Sequence, residues 1–310
     1  MKVEAYNLKI IVGTRGSKLA VTQTKWVIEK LKKHYPLVEF EVKIIKTKGD
    51  IDQETHLDKI GDKGIFTSAI EEELLDQKID IAVHSMKDMP STLPEGLCFA
   101  AIPLREDARD ALILKKQYQS IEDLPKGAKI GTSSKLRGCQ IQVYREDLQI
   151  VPIRGNIDTR IKKLYEDDFD GIILAVAGLK RLGLEEHISY CFPIDKMIPS
   201  PCQGILAIEV QMENHLLLEM IQSIEDPIST VQYQAERAFM KTINGGCQIP
   251  MGAYCMVEGT HLRLKGLLGD EEGKHLIVKE VCGPIGSEVQ MGVELAQILK
   301  KELKVEVKCI

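Results

Sequence analysis

The run LKIIVGTRGSKLAVTQTKWVIEKLKK, residues 8–33, opens on a short β-type apolar stretch, LKIIVG (8–13). It turns on small and polar residues and continues at helical spacing. Such a change of period across one turn marks a strand that feeds a helix. The pattern recurs. IDIAVH (79–84) runs into SMKDMP (85–90), and AKIG (128–131) into TSSKLRGCQIQVYR (132–145). QIVPI (149–153) runs into RGNIDTRIKKLYE (154–166), and DGIILAVAG (170–178) into LKRLG (179–183). Repeated strand–turn–helix units predict an α/β fold with mostly parallel, doubly wound sheets.

The last part of the chain has another rhythm. STVQYQAERAFMKTI (229–243) has helical spacing, with Ser229 and Gln232 fitting a capping box and Asn244, Gly245 and Gly246 a stop. AYCMVEG (253–259), HLRLKGLLG (261–269) and KHLIVKEVCG (274–283) are joined by short glycine-bearing turns and predict an antiparallel meander of three strands. A final helix is expected in SEVQMGVELAQILKKEL (287–303). These elements predict a small α+β domain. PLREDARDA (103–111) and MIPSPCQG (197–204) read as joints, since charge in the first and proline in the second interrupt regular structure. The expected division is therefore 1–104 with 200–224 as a discontinuous first domain, 105–199 inserted as the second, and 225–310 as the third. Residues 48–64 are polar, with three glycines, and are read as a mobile loop.

Composition limits the partners. A net charge of −5 argues against nucleic acid or an anionic membrane as the main partner. No stretch is read as a secretory signal or a bilayer-spanning helix. The eight cysteines are scattered, with no C-x-x-C pair and no zinc-like spacing, so no metal is expected and a reducing cytoplasm is. Most of them are read as small buried hydrophobes. A monomer is expected.

The chain uses 31 lysines and only 10 arginines, which makes the positions of the arginines informative. Arg15, Arg137, Arg154 and Arg181 lie in or just after turns that follow predicted strands, and Arg160 lies one helical turn beyond another. Thr14, Ser17, Thr132, Ser133, Ser134, Gly155 and Asn156 stand beside them. Strand carboxyl ends form the ligand crevice of open α/β sheets, helix N-termini there favour anions, and arginine binds carboxylate or phosphate with a planar fork. Any one such turn is as well read as a plain helix cap; together they predict a polyanionic ligand. Neither a complete dinucleotide fingerprint nor a P-loop is present, so carboxylates or isolated phosphates are expected rather than a nucleotide.

HSMKDMP (84–90) places His84, Ser85, Lys87 and Asp88 at the end of an apolar strand. Two readings of Asp88 stand at this point: a turn-shaping partner of Lys87 or an arginine, or a carboxylate that stabilises a developing cation or moves a proton. INGGCQIP (243–250) leaves Cys247 on bare backbone, where a structural cysteine would have bulky apolar neighbours.

The motifs TRGSKLA, DKGIF, IDIAVHSMKDMP, REDARDA, GTSSKLRGCQ, RGNIDTR, DGIILAVAGLKRLGL, CQGILAIE, AERAFM and GGCQIPMGAY follow one another as they do in porphobilinogen deaminases, also called hydroxymethylbilane synthases. The chain resembles that family from about residue 8 to about residue 260. The resemblance implies two domains like periplasmic binding proteins and a third, smaller one. It implies head-to-tail joining of four porphobilinogen molecules on a dipyrromethane cofactor, with ammonia released at each step and hydrolysis to the linear tetrapyrrole at the end. The cofactor would be held by a thioether to Cys247, where Gly245 and Gly246 leave it room. Ser85, Lys87, Asp88, Thr132, Ser133, Ser134, Arg137 and Arg160 are implied as cofactor binders, and Arg15, Ser17, Arg154 and Arg181 as substrate binders. Asp88 is implied as the catalytic carboxylate and Lys63, in DKGIF, as part of a lid; Gln23 and Gln203 fall at polar positions of matching motifs. The chain departs from the family where two adjacent arginines are usual: Lys135 and Leu136 precede Arg137, and Leu136 holds the first arginine's position.

Two other classes fit parts of the pattern. A solute receptor of the same architecture needs the arginines but neither Cys247 nor Asp88. A thiol hydrolase would pair Cys247 with His84 or His261, although the glycine-rich setting offers no evident oxyanion site.

Overall fold

The computed structural model describes residues 8–47, 49, 67–243 and 249–308, the side chains of 305–308 excepted. The chain runs β1 (Lys9–Arg15), α1 (Lys18–His34), β2 (Glu39–Ile45), α2 (Ser68–Leu75), β3 (Ile81–Ser85), β4 (Leu97–Ala101) and β5 (Asp110–Leu114). It continues with β6 (Lys129–Gly131), α3 (Lys135–Tyr144), β7 (Gln149–Val151), α4 (Ile157–Glu166), β8 (Gly171–Ala175), α5 (Val176–Leu182) and β9 (Tyr190–Cys191). It closes with β10 (Leu206–Gln211), α6 (His215–Gln222), α7 (Pro227–Ile243), β11 (Met251–Glu258), β12 (His261–Gly269), β13 (Leu276–Pro284) and α8 (Glu288–Lys308). Two compact units result, one of residues 1–106 with 205–230 and one of residues 107–204 with 231–310.

The first unit holds a five-stranded sheet in the order β2-β1-β3-β10-β4. β1 runs parallel to β2 and β3, and β10 is antiparallel to both β3 and β4. Its inner strands are largely apolar on both faces because helices cover both, whereas the edge strand β2 alternates with exposed Glu39 and Glu41. Val83, Ile208, Ile10 and Val12 pack with Val27, Ile28 and Leu31 of α1 and Leu217 and Ile221 of α6. Ala82 and Ile45 pack on the other side with Ile70 and Leu74 of α2. Ser17 starts α1 by accepting from Ala20 N at 3.2 Å, and Lys32, Lys33 and His34 close it at the negative end of its dipole.

The second unit repeats the plan in the order β7-β6-β8-β5-β9, with β6 parallel to β7 and β8, and β5 antiparallel to β8 and β9. Alternate residues of β5 serve opposite faces: Leu112 and Leu114 pack with Ile141 of α3, Ala111 and Ile113 with Leu164 of α4 and Leu179 of α5. The same unit contains the meander β11-β12-β13, wholly antiparallel. α7 and α8 cover it, with Phe239, Leu264, Leu295 and Leu299 all at 0% exposure. Two doubly wound α/β layers and a small α+β layer with a three-stranded antiparallel sheet are thus the architecture.

Some element boundaries differ from the sequence reading. DGIILAVAG is strand only to Ala175; Val176 opens α5, which stops at Gly183 in the left-handed region at φ 64. A continuous apolar run does not separate a buried strand from a buried helix. α7 starts at Pro227 rather than at a capping box on Ser229. Asp226 Oδ1 accepts from Ser229 N at 2.7 Å, and proline suits the first helical position because its missing N–H has no partner to lose. Gln232 instead donates to Cys255 O at 2.8 Å, tying α7 to β11. The loop reading of 48–64 falls almost wholly outside the described residues.

Candidate functional site

In each α/β layer the parallel strands direct their carboxyl ends to one edge, and the sequence-selected residues follow those ends. In the first unit β1 ends on Arg15, after which Ser17 caps α1. The adjacent parallel strand β3 ends on Ser85 and passes into a single 3-10 turn, Met86–Asp88. That turn is held from three directions. Met86 N donates to Ile205 O at 3.0 Å. On the α1 face, buried Gln23 donates from Nε2 to Ser85 Oγ at 3.0 Å. On the α2 face, His84 Nε2 stands 3.2 Å from Glu209 Oε2, an ion-pair distance without the alignment of a hydrogen bond. Asp88 is exposed beyond these fixed points, and Lys87 is half-buried.

Glu209 shapes its neighbours electrostatically. Burial raises the Glu71 carboxyl above the usual glutamate range, and the charge of Glu209 adds to the shift; Thr67 and His84 oppose it. Burial and then Glu209 raise the Cys98 thiol too. His84 therefore sits buried beside carboxylates on the face away from Ser85.

In the second unit β6 leads into Thr132–Ser133–Ser134. Thr132 Oγ1 accepts from Ser134 N at 3.1 Å, and Ser134 Oγ accepts from Arg137 N at 3.4 Å to cap α3. Ser133 Oγ donates to Ile153 O at 2.8 Å and accepts from Ile153 N at 3.1 Å, which joins this turn to the one after β7. That second turn carries half-buried Arg154 and Gly155; Gly155 has φ 116, where a side chain is disfavoured, and a Cβ there would stand 2.7 Å from Thr159 Cγ2. Arg160 Nε reaches back to Gly155 O at 2.7 Å. Arg181, on the helix after β8, donates from Nη2 to Gly204 O at 2.7 Å.

Arg137 differs from the others in being buried. Its Nη2 donates to Asp110 Oδ1 at 2.7 Å and to Gln203 Oε1 at 3.2 Å, and its Nη1 to Ile173 O at 3.2 Å. Gln203 Nε2 donates in turn to Asp110 Oδ1 and Ala108 O, each at 2.7 Å. Asp110 and the α7 carboxylate of Glu236 were not singled out by sequence reasoning. Asp110 lies in the charged stretch read as a joint, and the only available signal was an acid at a strand's first residue. Leu136, at the position where the family has an arginine, is 5% exposed in an apolar cluster with Ile198 and Leu267, against which Leu276 packs.

Lys63 and Cys247 lie outside the described residues. Among the charged side chains at or after those strand ends are Arg15, Lys87 and Asp88 in the first unit and Arg154, Asp158, Arg160 and Arg181 in the second. Guanidinium, ammonium and hydroxyl donors of this kind suit a ligand rich in carboxylates, which is the chemistry of a dipyrromethane with its acetate and propionate arms. No group of three or more metal-ligating side chains occurs among the described residues.

The model of the porphobilinogen deaminase dipyrromethane-cofactor binding domain matches residues 10–219, and that of the porphobilinogen deaminase C-terminal domain matches residues 230–301. The chain is 53% identical over 299 residues to the porphobilinogen deaminase of Clostridium novyi (strain NT), covering 96% of this chain and 100% of that one. It is 51% identical over 295 residues to the porphobilinogen deaminase of Clostridioides difficile (strain 630), covering 95% and 98%. Among solved structures, the methionine-binding protein MetQ is 12% identical with a TM-score of 0.45, over 76% of this chain and 94% of that one, a likeness too slight to carry any argument.

Proposed function

The chain belongs to the porphobilinogen deaminase family, and on that premise we propose that it joins four porphobilinogen molecules head to tail on a dipyrromethane primer and hydrolyses the product to hydroxymethylbilane. The observation that carries the site assignment is the placement of Asp88: exposed, at the carboxyl end of a buried strand, on a turn fixed through Met86, Ser85 and His84.

The bound dipyrromethane supplies the nucleophilic pyrrole carbon to which each new unit is added. Cys247 holds it as a thioether. Ser85, Lys87, Thr132, Ser134, Arg137 and Arg160 would hold its carboxylates by charge-assisted hydrogen bonds, while Ser133, whose hydroxyl proton goes to Ile153 O, fixes the turn that carries them. Arg15, Ser17, Arg154 and Arg181 bind the acetate and propionate of the incoming substrate. The substrate's aminomethyl group leaves as ammonia from its protonated form, which leaves positive charge on the substrate pyrrole, and the Asp88 carboxylate stabilises that charge. Fixing Asp88 beforehand spares the cost of reorganising it during the step. Lys63, implied by the resemblance as part of a lid, lies outside the described residues.

The proposed division is three domains, 1–104 with 200–224, 105–199, and 225–310, the last two falling mostly within one compact unit. No helix among the described residues is long and apolar enough to cross a membrane. The protein works as a cytoplasmic monomer without nucleic acid or membrane, a reading supported by the scattered free thiols and the net charge of −5. The test is Asp88→Asn: the purified variant should retain the mass of the cofactor and lose most of its turnover, and near-normal turnover would remove Asp88 from the chemistry.

A further inference from the structure

Residues 202–204 are gripped one by one. Glu236 of α7, at 0% exposure, accepts from Cys202 N at 2.6 Å with one oxygen and from Cys255 N at 2.9 Å with the other. Gln203 sits between Arg137 and Asp110, bonded to both. Gly204 offers its carbonyl to Arg181. Cys202 is held at φ 62, a left-handed conformation that a residue with a Cβ seldom adopts. Such a conformation persists only where the surroundings over-determine it, and it is concentrated at functional sites.

Stability alone does not account for this arrangement. Hydrophobic residues of similar volume often stabilise as well as or better than a buried ion pair. What buried charges do fix is direction, and arginine's planar fork is useful to a ligand only when its direction is fixed. The two arginines that meet at this segment are both in the proposed carboxylate-binding set.

We propose that residues 202–204 are a positioning element, in which Gln203, Asp110 and Glu236 aim Arg137 and the Gly204 carbonyl aims Arg181, so that both guanidiniums meet ligand carboxylates in one set geometry. The inference rests on the reading that these arginines bind carboxylates. α7 shares the anchor through Glu236, whose other oxygen ties the same helix to β11. Asp110, Gln203 and Glu236 are positioning residues, acting through the arginines.

The test is a double-mutant cycle on the full chain with Gln203→Met, which keeps shape and removes both polar ends, and Arg137→Ala. Three quantities are read: the fraction of purified chains carrying the dipyrromethane mass, the KM for porphobilinogen, and hydrogen exchange of the peptide spanning 202–204. Gln203→Met removes the bonds to both Arg137 and Asp110; it should lower the loaded fraction and raise KM by about tenfold or more, at least the effect of one hydrogen bond to a charged group. In the Arg137→Ala background the same change should leave the loaded fraction where Arg137→Ala alone sets it. An equal drop in both backgrounds overturns the positioning role while leaving the carboxylate-binding reading intact. Normal loading and KM in Arg137→Ala alone would remove that reading, and the proposal with it. Should Gln203→Met fail to fold, Cys202→Gly carries the test, because glycine accepts the left-handed conformation without strain. It should exchange faster at 202–204 and raise KM; unchanged exchange and KM overturn the proposal.

Discussion

Arg137 Nη2 lies 2.7 Å from Asp110 Oδ1, and Asp110 is 1% exposed. A guanidinium that the sequence offers to a ligand is thus already bonded to a buried carboxylate of its own chain. Removing one member of such a pair strands the other without water. Asp110→Asn should therefore lower stability by about 3–5 kcal/mol, read as a shift of the urea midpoint. An unchanged midpoint would mean that the pair does not hold α3 to β5.

Leu136→Arg restores the family's usual residue type, and the sequence alone suggests that it would alter ligand binding. The structure assigns it another outcome. Leu136 packs with Ile198, Leu267 and Leu276, so an arginine there carries charge into an apolar contact between α3 and the C-terminal sheet. A loss of about 3 kcal/mol or more is expected, seen as a lowered melting temperature. A variant that melts like the parent and changes only cofactor loading or turnover would contradict this.

Gln23 reaches from α1 to Ser85 at the start of the Asp88 turn. Gln23→Leu should cost about 1 kcal/mol of stability and lower kcat more than it raises KM, because the turn that carries Asp88 loses one of its three supports. Steady-state kinetics beside a melting curve separate the two effects. Normal kcat in a destabilised variant would make the bond purely structural.

Glu71 sets a pH dependence. Burial first, and Glu209 second, raise its pKa in the folded chain. The folded state then keeps the proton to higher pH than the unfolded state does. Its contribution to stability is fully present below the ordinary glutamate pKa and is lost as pH rises through the raised value. Glu71→Gln abolishes this titration, so its stability should fall less than the parent's across that window while Glu209, His84 and Thr67 remain in place. Parallel stability–pH curves for the two proteins would exclude the coupling.

The alternation of short apolar runs with turns and helices was readable because the inner α/β strands, such as β5 and β8, are covered on both faces and the helices on one, which leaves different periods in the sequence. Arg154 was legible as a strand-end cation for the same reason, whereas Arg160 lies within α4 and Arg181 in the last turn of α5. What escaped was long-range pairing. Nothing near Arg137 in sequence announces Asp110, and nothing in AERAFM distinguishes a surface glutamate from Glu236, whose two acceptors meet N–H groups on residues 202 and 255. His84 reads as a possible base in a strand-end motif, yet strand alternation turns it away from Ser85 and towards Glu209. The start of α7 was misplaced because Asp226 and Ser229 are both good caps, and only the proline between them selects the first.

The central claim is a covalent pyrrole primer on Cys247, and intact-mass measurement of the purified protein tests it most directly. The parent chain should weigh more than its sequence by one dipyrromethane, and Cys247→Ser should weigh its sequence mass alone. A parent at bare sequence mass, or an increment that survives in Cys247→Ser, would contradict the account.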